Sequence, residues 1–335
     1  MRNSWKTMRM VSILSAFLLS MCLFSCSGGG GGGGGGSVGI SYTGVTTLAV
    51  IDESNAVDLA TGAYQGGNTG GTAGVLGAEQ TGESEDTSSP RTLKVSRALE
   101  DALRRVDLMS RSGSIAAGAM QEETGTVDGD CGGRASYTIR VDDVTGEFSG
   151  SFNFNNYCSY GVRLSGRATF SGDVDLNTGY IETFDFSFNT LTCTSGSDSF
   201  TLDGDISCDV NASSMSVSMD MLLKDNSTGK VYWARDCTMT WTDGAGYMAF
   251  EWSGRYYDPD HGYITVSTNT AFVIYDGDYW PTEGVLVIRG HTGTAGGRTK
   301  ARLHVLSSTT FHVEVDTDGD GSYDWDSGDL YWSDL

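Results

Sequence analysis

Val162-Arg163-Leu164-Ser165-Gly166-Arg167-Ala168-Thr169-Phe170-Ser171-Gly172-Asp173-Val174-Asp175-Leu176 changes character at almost every step. Val162, Leu164, Ala168, Phe170, Val174 and Leu176 hold even positions, while Arg163, Ser165, Arg167, Thr169, Ser171, Asp173 and Asp175 fill the odd ones. A period of two sends alternate side chains to opposite faces of a pleated strand, so this segment predicts a strand with one dry and one wet face. The same alternation recurs in Phe148, Phe152, Phe154; in Tyr180, Phe184, Phe186, Phe188; in Phe200, Leu202, Ile206, Val210; in Met215, Val217, Met219, Met221, Leu223; and in Met248, Phe250, Trp252, Tyr256. Further strands are expected at residues 263–266, 270–275, 284–290, 298–306 and 311–315, which makes about a dozen or more.

The links between these runs are short and carry turn residues, as in Val144-Thr145-Gly146, Asn177-Thr178-Gly179 and Asp243-Gly244. They leave no room for helical crossovers, so the expected sheet is antiparallel and largely a meander. A flat sheet of that size would leave its apolar face in water. The expectation is therefore all-β: a curled or closed soluble barrel over residues 130–335, with a two-sheet sandwich as the alternative. A transmembrane barrel shares the alternation, but inward Gly, Met and Trp and cysteines within the strand region favour a packed interior.

Ahead of the strands, Val95, Leu99, Ala102, Leu103, Val106 and Met109 recur at three- and four-residue spacing. This predicts one amphipathic helix over residues 91–110 that packs on the sheet. Residues 37–90 are rich in Gly, Ser, Thr and Ala without sustained periodicity, and read as a flexible tether with a short strand at 45–51. Residues 28–36 are all glycine, a leash with no side chains to bury.

The chain opens with Arg2, Lys6 and Arg9, an apolar run over residues 10–24, and then Leu23-Phe24-Ser25-Cys26. That layout resembles a bacterial lipoprotein signal ending in a lipobox. The resemblance implies a signal peptide at 1–25, cleavage before Cys26, lipid on the Cys26 sulfur, and a lipidated tether over 26–90. Ser27 then suggests the outer membrane. The apolar run is shorter than the roughly 20 residues that span a bilayer core, which disfavours an uncleaved anchor; a plain secretory signal is the nearer rival.

With 21 basic and 43 acidic residues the chain carries a net charge of −22. Such a surface repels phosphate backbones and anionic headgroups, so nucleic acid is excluded as a partner and divalent cations are favoured. Of seven cysteines, Cys22 leaves with the signal and Cys26 takes lipid. An oxidising compartment favours pairing among the rest. If Asp142 faces Glu147 across the turn at 143–146, then Tyr137 faces Phe152, Val141 faces Phe148 and Cys131 faces Cys158, close enough for a disulfide. The same argument separates Cys193 from Cys208, and Cys208 from Cys237, by too much for a bridge, and the state of these three stays open.

No nucleophile elbow, zincin helix or phosphate loop is present. His261, His291, His304 and His312 share no metal-ligand spacing; His304 and His312 fall in strand-like stretches flanking a turn, where surface polar positions explain them without function. Trp233, Trp241 and Trp252 share the parity of the apolar face and are expected in the core rather than as a carbohydrate-stacking row. The strongest site signal is Asp316-Thr317-Asp318-Gly319-Asp320-Gly321-Ser322-Tyr323-Asp324. Alternating carboxylates on a tight turn converge oxygens on a hard cation, as in the D-x-D-x-D-G calcium loop. Asp316, Asp318 and Asp320 are the expected side-chain ligands to calcium, with the Ser322 carbonyl and Asp324 completing the set. Ser327 stands where that loop carries a bidentate Glu, and an acidic hairpin turn is the alternative.

The lipobox, Cys131-Gly132-Gly133, the F-x-F-N-N-x-C run from Phe152 to Cys158 with Leu164 and Gly166 after it, and the D-x-D-x-D-G ending together resemble exported Gram-negative bacterial lipoproteins of uncharacterised function. The resemblance implies no activity. The expected function is non-enzymatic: an outer-membrane-anchored lipoprotein of the cell envelope with a structural or surface-binding role. The alternatives are a lipid or amphiphile carrier or envelope chaperone, which needs an apolar cavity, and a glycan-binding or glycan-active protein, which needs exposed tryptophans and close carboxylates.

Overall fold

The computed structural model of the protein describes residues 39–74, 97–99, 101–102, 105, 121–176, 180–210 and 214–335. Helix α1 (Ala56–Gly74) precedes one antiparallel sheet. Its strands are β1 (Gln121–Asp128), β2 (Arg134–Val141), β3 (Glu147–Ser159), β4 (Val162–Asp175), β5 (Tyr180–Ser195), β6 (Asp198–Val210) and β7 (Ser214–Asp225). They continue as β8 (Val231–Asp243), β9 (Tyr247–Asp258), β10 (Gly262–Tyr275), β11 (Glu283–Thr292), β12 (Arg298–Val305) and β13 (Thr310–Asp316). The short β14 (Trp325–Asp326) and β15 (Leu330–Tyr331) both pair with β13.

Each strand from β1 to β14 pairs with its sequence neighbour, so the meander is complete. The sheet is not closed: β1 forms one edge and β14 and β15 the other. Of the expected forms the curled one is observed, a single open sheet wrapped around a helix, neither closed into a barrel nor split into a two-sheet sandwich. The segments expected separately at 263–266 and 270–275 are one strand, β10, whose pairing with β9 shifts between Ile264 and Phe272. The sheet also starts at residue 121 rather than 130. Strand β1 reads QEETGTVD and buries one apolar side chain, Val127, so no alternation marks this edge in the sequence.

Curvature comes from irregularities at mid-strand. Asn156, Thr190 and Asp236 have φ of 52°, 51° and 50°, each where the pairing register shifts. An extra residue in one strand bends it and increases its twist. The partner strand yields space with glycine: a Cβ on Gly166 would lie 2.5 Å from the Thr190 carbonyl oxygen, and one on Gly254 would lie 2.6 Å from Cys237 Sγ.

The irregularity at Asp236 also flips parity. Trp241 and Trp252 are in the core as expected, but Ala234 takes the inward position and Trp233 faces out, half-buried. On that outer face Trp233 lies 4.9 Å from Tyr257 and 6.0 Å from Tyr42 between ring centroids.

The tether expected as far as residue 90 is corrected over residues 39–67, which are packed against the sheet. Ile40 N–H donates to Asp203, and the Tyr42 hydroxyl donates to the Asp258 carbonyl. Leu48 makes a parallel bridge to Tyr263, and Ala49 exchanges backbone bonds with Tyr263 and His291, so residues 47–49 wedge between β10 and β11. The strand expected at 45–51 is this single bridge.

Asp52 and Asn55 then start α1: Ser54 N–H donates to the Asp52 carboxylate, Ala56 N–H to the Asp52 carbonyl, and Asp52 N–H to the Asn55 side chain. Leu59, Ala60, Ala63 and Tyr64 are buried in the concave face. The Tyr64 ring lies 5.3 Å from Phe272 and 5.0 Å from Trp332, which stacks on Trp280 at 5.5 Å. Glycine is what admits the helix. A Cβ on Gly67 would meet the Trp252 ring at 2.6 Å, and one on Gly62 the Tyr256 hydroxyl at 2.5 Å.

Most of the helix expected at 91–110 lies outside the described residues, as do the signal at 1–25, Cys26 and residues 26–38 and 75–90. Residues 97–99 and 101–102 are helical, with Ala98, Leu99 and Ala102 buried. Asp101 anchors them: its carboxylate accepts from the Tyr157 and Ser159 hydroxyls, both at 2.7 Å, and pairs with Arg105.

Cys131 and Cys158 form a disulfide, with Cα atoms 5.0 Å apart. The register that predicted it is observed, Tyr137 opposite Phe152 and Val141 opposite Phe148. Cys193, Cys208 and Cys237 are free and buried.

Candidate metal sites at the C-terminal end of the sheet

The acidic loop leaves β13 at Asp316, whose side chain is fully buried. Asp316 accepts hydrogen bonds from Gly319 N–H at 2.7 Å and Gly321 N–H at 2.9 Å, so its carboxylate organises the turn from below. Asp318 accepts from Asp320 N–H and Asp320 from Ser322 N–H. The loop is braced from outside: Ala295 N–H donates to the Asp318 carbonyl, and a Cβ on Gly297 would stand 2.1 Å from the Gly319 carbonyl oxygen. Gly319, at φ +80°, lies in the left-handed region that glycine tolerates.

One carboxylate oxygen each from Asp316, Asp318 and Asp320 lie within 4.8 Å of one another, an acidic cluster able to hold a metal ion. Asp324 lies outside this cluster. Its carboxylate accepts from Thr317 N–H and the Thr317 hydroxyl, and those bonds, the hydroxyl's first, hold its carboxyl below the ordinary value. Ser322 contributes its N–H to Asp320. Sequence reasoning missed Lys300, whose Nζ stands 3.2 Å from Asp316 Oδ2 and 5.2 Å from the centre of the Tyr323 ring.

A second cluster lies on the outer face of the same strands. The β12–β13 register sets His304 directly opposite His312, with His312 Nε2 3.3 Å from His304 Nδ1. Glu314 Oε2 is 3.7 Å from His312 Nε2, and Asp326 Oδ2 on β14 is 3.1 Å from His312 Nδ1. Arg302 grips the Glu314 carboxylate through Nε and Nη2, and that pairing holds the Glu314 carboxyl below its ordinary range. Burial first, then His312 and Arg302, pushes the His304 imidazole down. The signal was present in the sequence: continuing the β12–β13 hairpin pairing outward from Val305 and Phe311 places the two histidines face to face.

A groove of about 530 Å³ opens between α1 and the ends of β6 to β9. Tyr64, Phe200, Leu202, Met221, Tyr232 and Tyr256 line its floor, and Asp58, Asp198, Asp225, Asp258 and Asp260 stand on its rim. Three of these carboxylates are bound into local structure. Asp225 accepts from Ser227 and Thr228, Asp258 from Asp260 N–H and His261 N–H, and Asp260 pairs with Lys230. Hydrogen bonds from Ser227 and Thr228 pull the Asp225 carboxyl down to about 2, the wrong direction for a general acid at neutral pH. The outward Trp233 is partly covered, with the Arg235 guanidinium 4.5 Å over its ring, Tyr257 4.9 Å away between centroids and Asp220 accepting from its indole N–H.

Compared with protein-family models, with curated proteins and with solved structures, the chain matches none.

Proposed function

We propose that this chain is an exported lipoprotein, held at the outer membrane by lipid on Cys26, whose β domain serves a non-enzymatic structural or surface-binding role and whose 316–324 loop binds calcium. The observation that carries this reading is the helix seated in the concave face. Tyr64 of α1 meets Phe272 and Trp332 there, Trp332 meets Phe311, and Leu59 and Ala63 are buried on the same helix, so much of the curled sheet is spent on packing around a helix. The calcium part rests on the three clustered carboxylates, an all-oxygen set suited to a hard cation. The 28–36 glycine leash agrees with a folded unit held at a distance from a lipid anchor.

The test is metabolic labelling with a fatty acid, combined with membrane fractionation of the parent and Cys26→Ser. Label in the parent and an unprocessed or soluble, unlabelled variant are expected. A variant that is processed and fractionates with membranes like the parent rejects the anchor.

The groove beside α1 favours a second reading, an amphiphile carrier. Its aromatic floor suits an apolar tail, and its acidic rim repels anionic headgroups, which restricts the cargo to neutral or cationic amphiphiles. Displacement of a neutral fluorescent amphiphile by cationic but not anionic surfactants would support that reading over the structural one.

A further inference from the structure

We propose that His304 Nδ1, His312 Nε2 and Glu314 Oε2 form a tetrahedral site for a zinc-class transition ion on the outer face of β12 and β13, its fourth position open to water. This goes beyond the calcium loop, because its ligand chemistry is different.

The distances already fit a tetrahedral ion. Zinc binds imidazole nitrogen and carboxylate oxygen at about 2.0–2.2 Å in a tetrahedron, which places neighbouring ligand atoms about 3.3–3.5 Å apart. The two imidazole nitrogens already stand 3.3 Å apart, and Glu314 Oε2 stands 3.7 Å from His312 Nε2. One ligand atom from each of the three residues fits within 4.8 Å, so small side-chain rotations close the site without backbone movement.

The surroundings prepare two of the three ligands. Asp326 Oδ2 lies 3.1 Å from His312 Nδ1, close enough to accept a hydrogen bond from Nδ1–H, the tautomer that leaves the Nε2 lone pair facing His304. A carboxylate behind a ligating histidine is the usual outer-shell arrangement, fixing tautomer and ring orientation. Arg302 does the same for Glu314, and Oε2 keeps a second lone pair for the ion. Strand pairing supplies the rigidity, since His304 is opposite His312 across β12 and β13, and Glu314, the next residue on the same face of β13, is opposite Asp326 on β14. Two imidazoles select a borderline ion, whereas calcium takes oxygen ligands.

The experiment is titration of the chelator-treated full chain with zinc, and with cobalt(II) as a spectroscopic stand-in, in millimolar calcium. One equivalent of zinc held against calcium, and the intense visible bands of tetrahedral cobalt, are expected. His304→Ala and His312→Ala should each weaken binding by at least about tenfold, and Asp326→Asn by about tenfold through loss of the tautomer. Melting each variant in chelator separates lost binding from lost fold. On the unaltered chain, imidazole nitrogen NMR provides a readout that needs no variant: zinc should shift His304 Nδ1 and His312 Nε2. Zinc displaced by calcium, binding unchanged in His304→Ala, or shifts at His261 and His291 instead would overturn the proposal.

Discussion

Lys300 Nζ stands 3.2 Å from Asp316 Oδ2, so a protein cation already faces the most buried carboxylate of the acidic loop. A bound calcium ion and this ammonium compete for the same charge. At an effective dielectric near 20, two unit charges about 4 Å apart interact by roughly 4 kcal/mol, reduced here because the lysine reaches solvent and can swing aside. Lys300→Met is therefore expected to tighten calcium binding about three- to tenfold in calorimetric titration. In chelator the same variant should melt below the parent, because Asp316 keeps its N–H donors but loses its counter-charge. Asp316→Asn/Asp320→Asn should lose calcium binding altogether. Parent protein that shows no heat and no shift in Tm at millimolar calcium reduces the loop to an acidic turn.

Gly67→Ala tests why α1 is rich in glycine. Helix propensity alone favours alanine by up to about 1 kcal/mol. The added methyl, however, would sit 2.6 Å from the Trp252 ring, and overpacking of that kind costs about 1–3 kcal/mol. We expect net destabilisation by denaturant titration. Stabilisation would mean that the helix does not lie on Trp252.

Removing the Cys131–Cys158 link, which closes a loop with a sequence separation of 27, is expected to cost about 3 kcal/mol. The paired substitution Cys131→Ala/Cys158→Ala gives the size by denaturant titration, and peptide mapping without reduction gives the connectivity. A free thiol at Cys131 in the parent would contradict the observed β2–β3 register.

Asp225 provides a pH signature. Its carboxyl is depressed to about 2 in the folded chain, chiefly by the Ser227 hydroxyl and then by Thr228. A depressed carboxyl contributes stability that is fully present above its ordinary value near 4 and is lost as pH falls through its folded value. Parent and Asp225→Asn should therefore converge in Tm as pH drops from about 4 to 2, and differ by a constant amount above that range. A difference that does not change with pH would assign the turn's stability to geometry rather than to the charge.

Much of the fold was legible because β structure writes itself locally. Alternation at Val162, Leu164, Ala168 and Phe170 and the short turns set antiparallel order, inward faces and the Cys131–Cys158 pairing. The same alternation, extended through Asp236, placed Trp233 in the core, because one extra residue inverts parity and nothing in the residue type announces it. In the C-terminal loop the sequence marked Asp316, Asp318 and Asp320, whose spacing is itself the chemistry. It passed over Lys300, and over His304 and His312, whose meeting depends on the register between strands.

The sequence by itself determined the strands, their antiparallel order and the acidic cluster, since each is set by contacts between residues close along the chain or joined by a tight turn. Tertiary structure alone decided that the sheet stays open and that a glycine-rich segment becomes a buried helix. Glycine has no side chain to record its partner, and Gly62 and Gly67 are helical because Tyr256 and Trp252, nearly 200 residues away, leave space for a backbone and nothing larger.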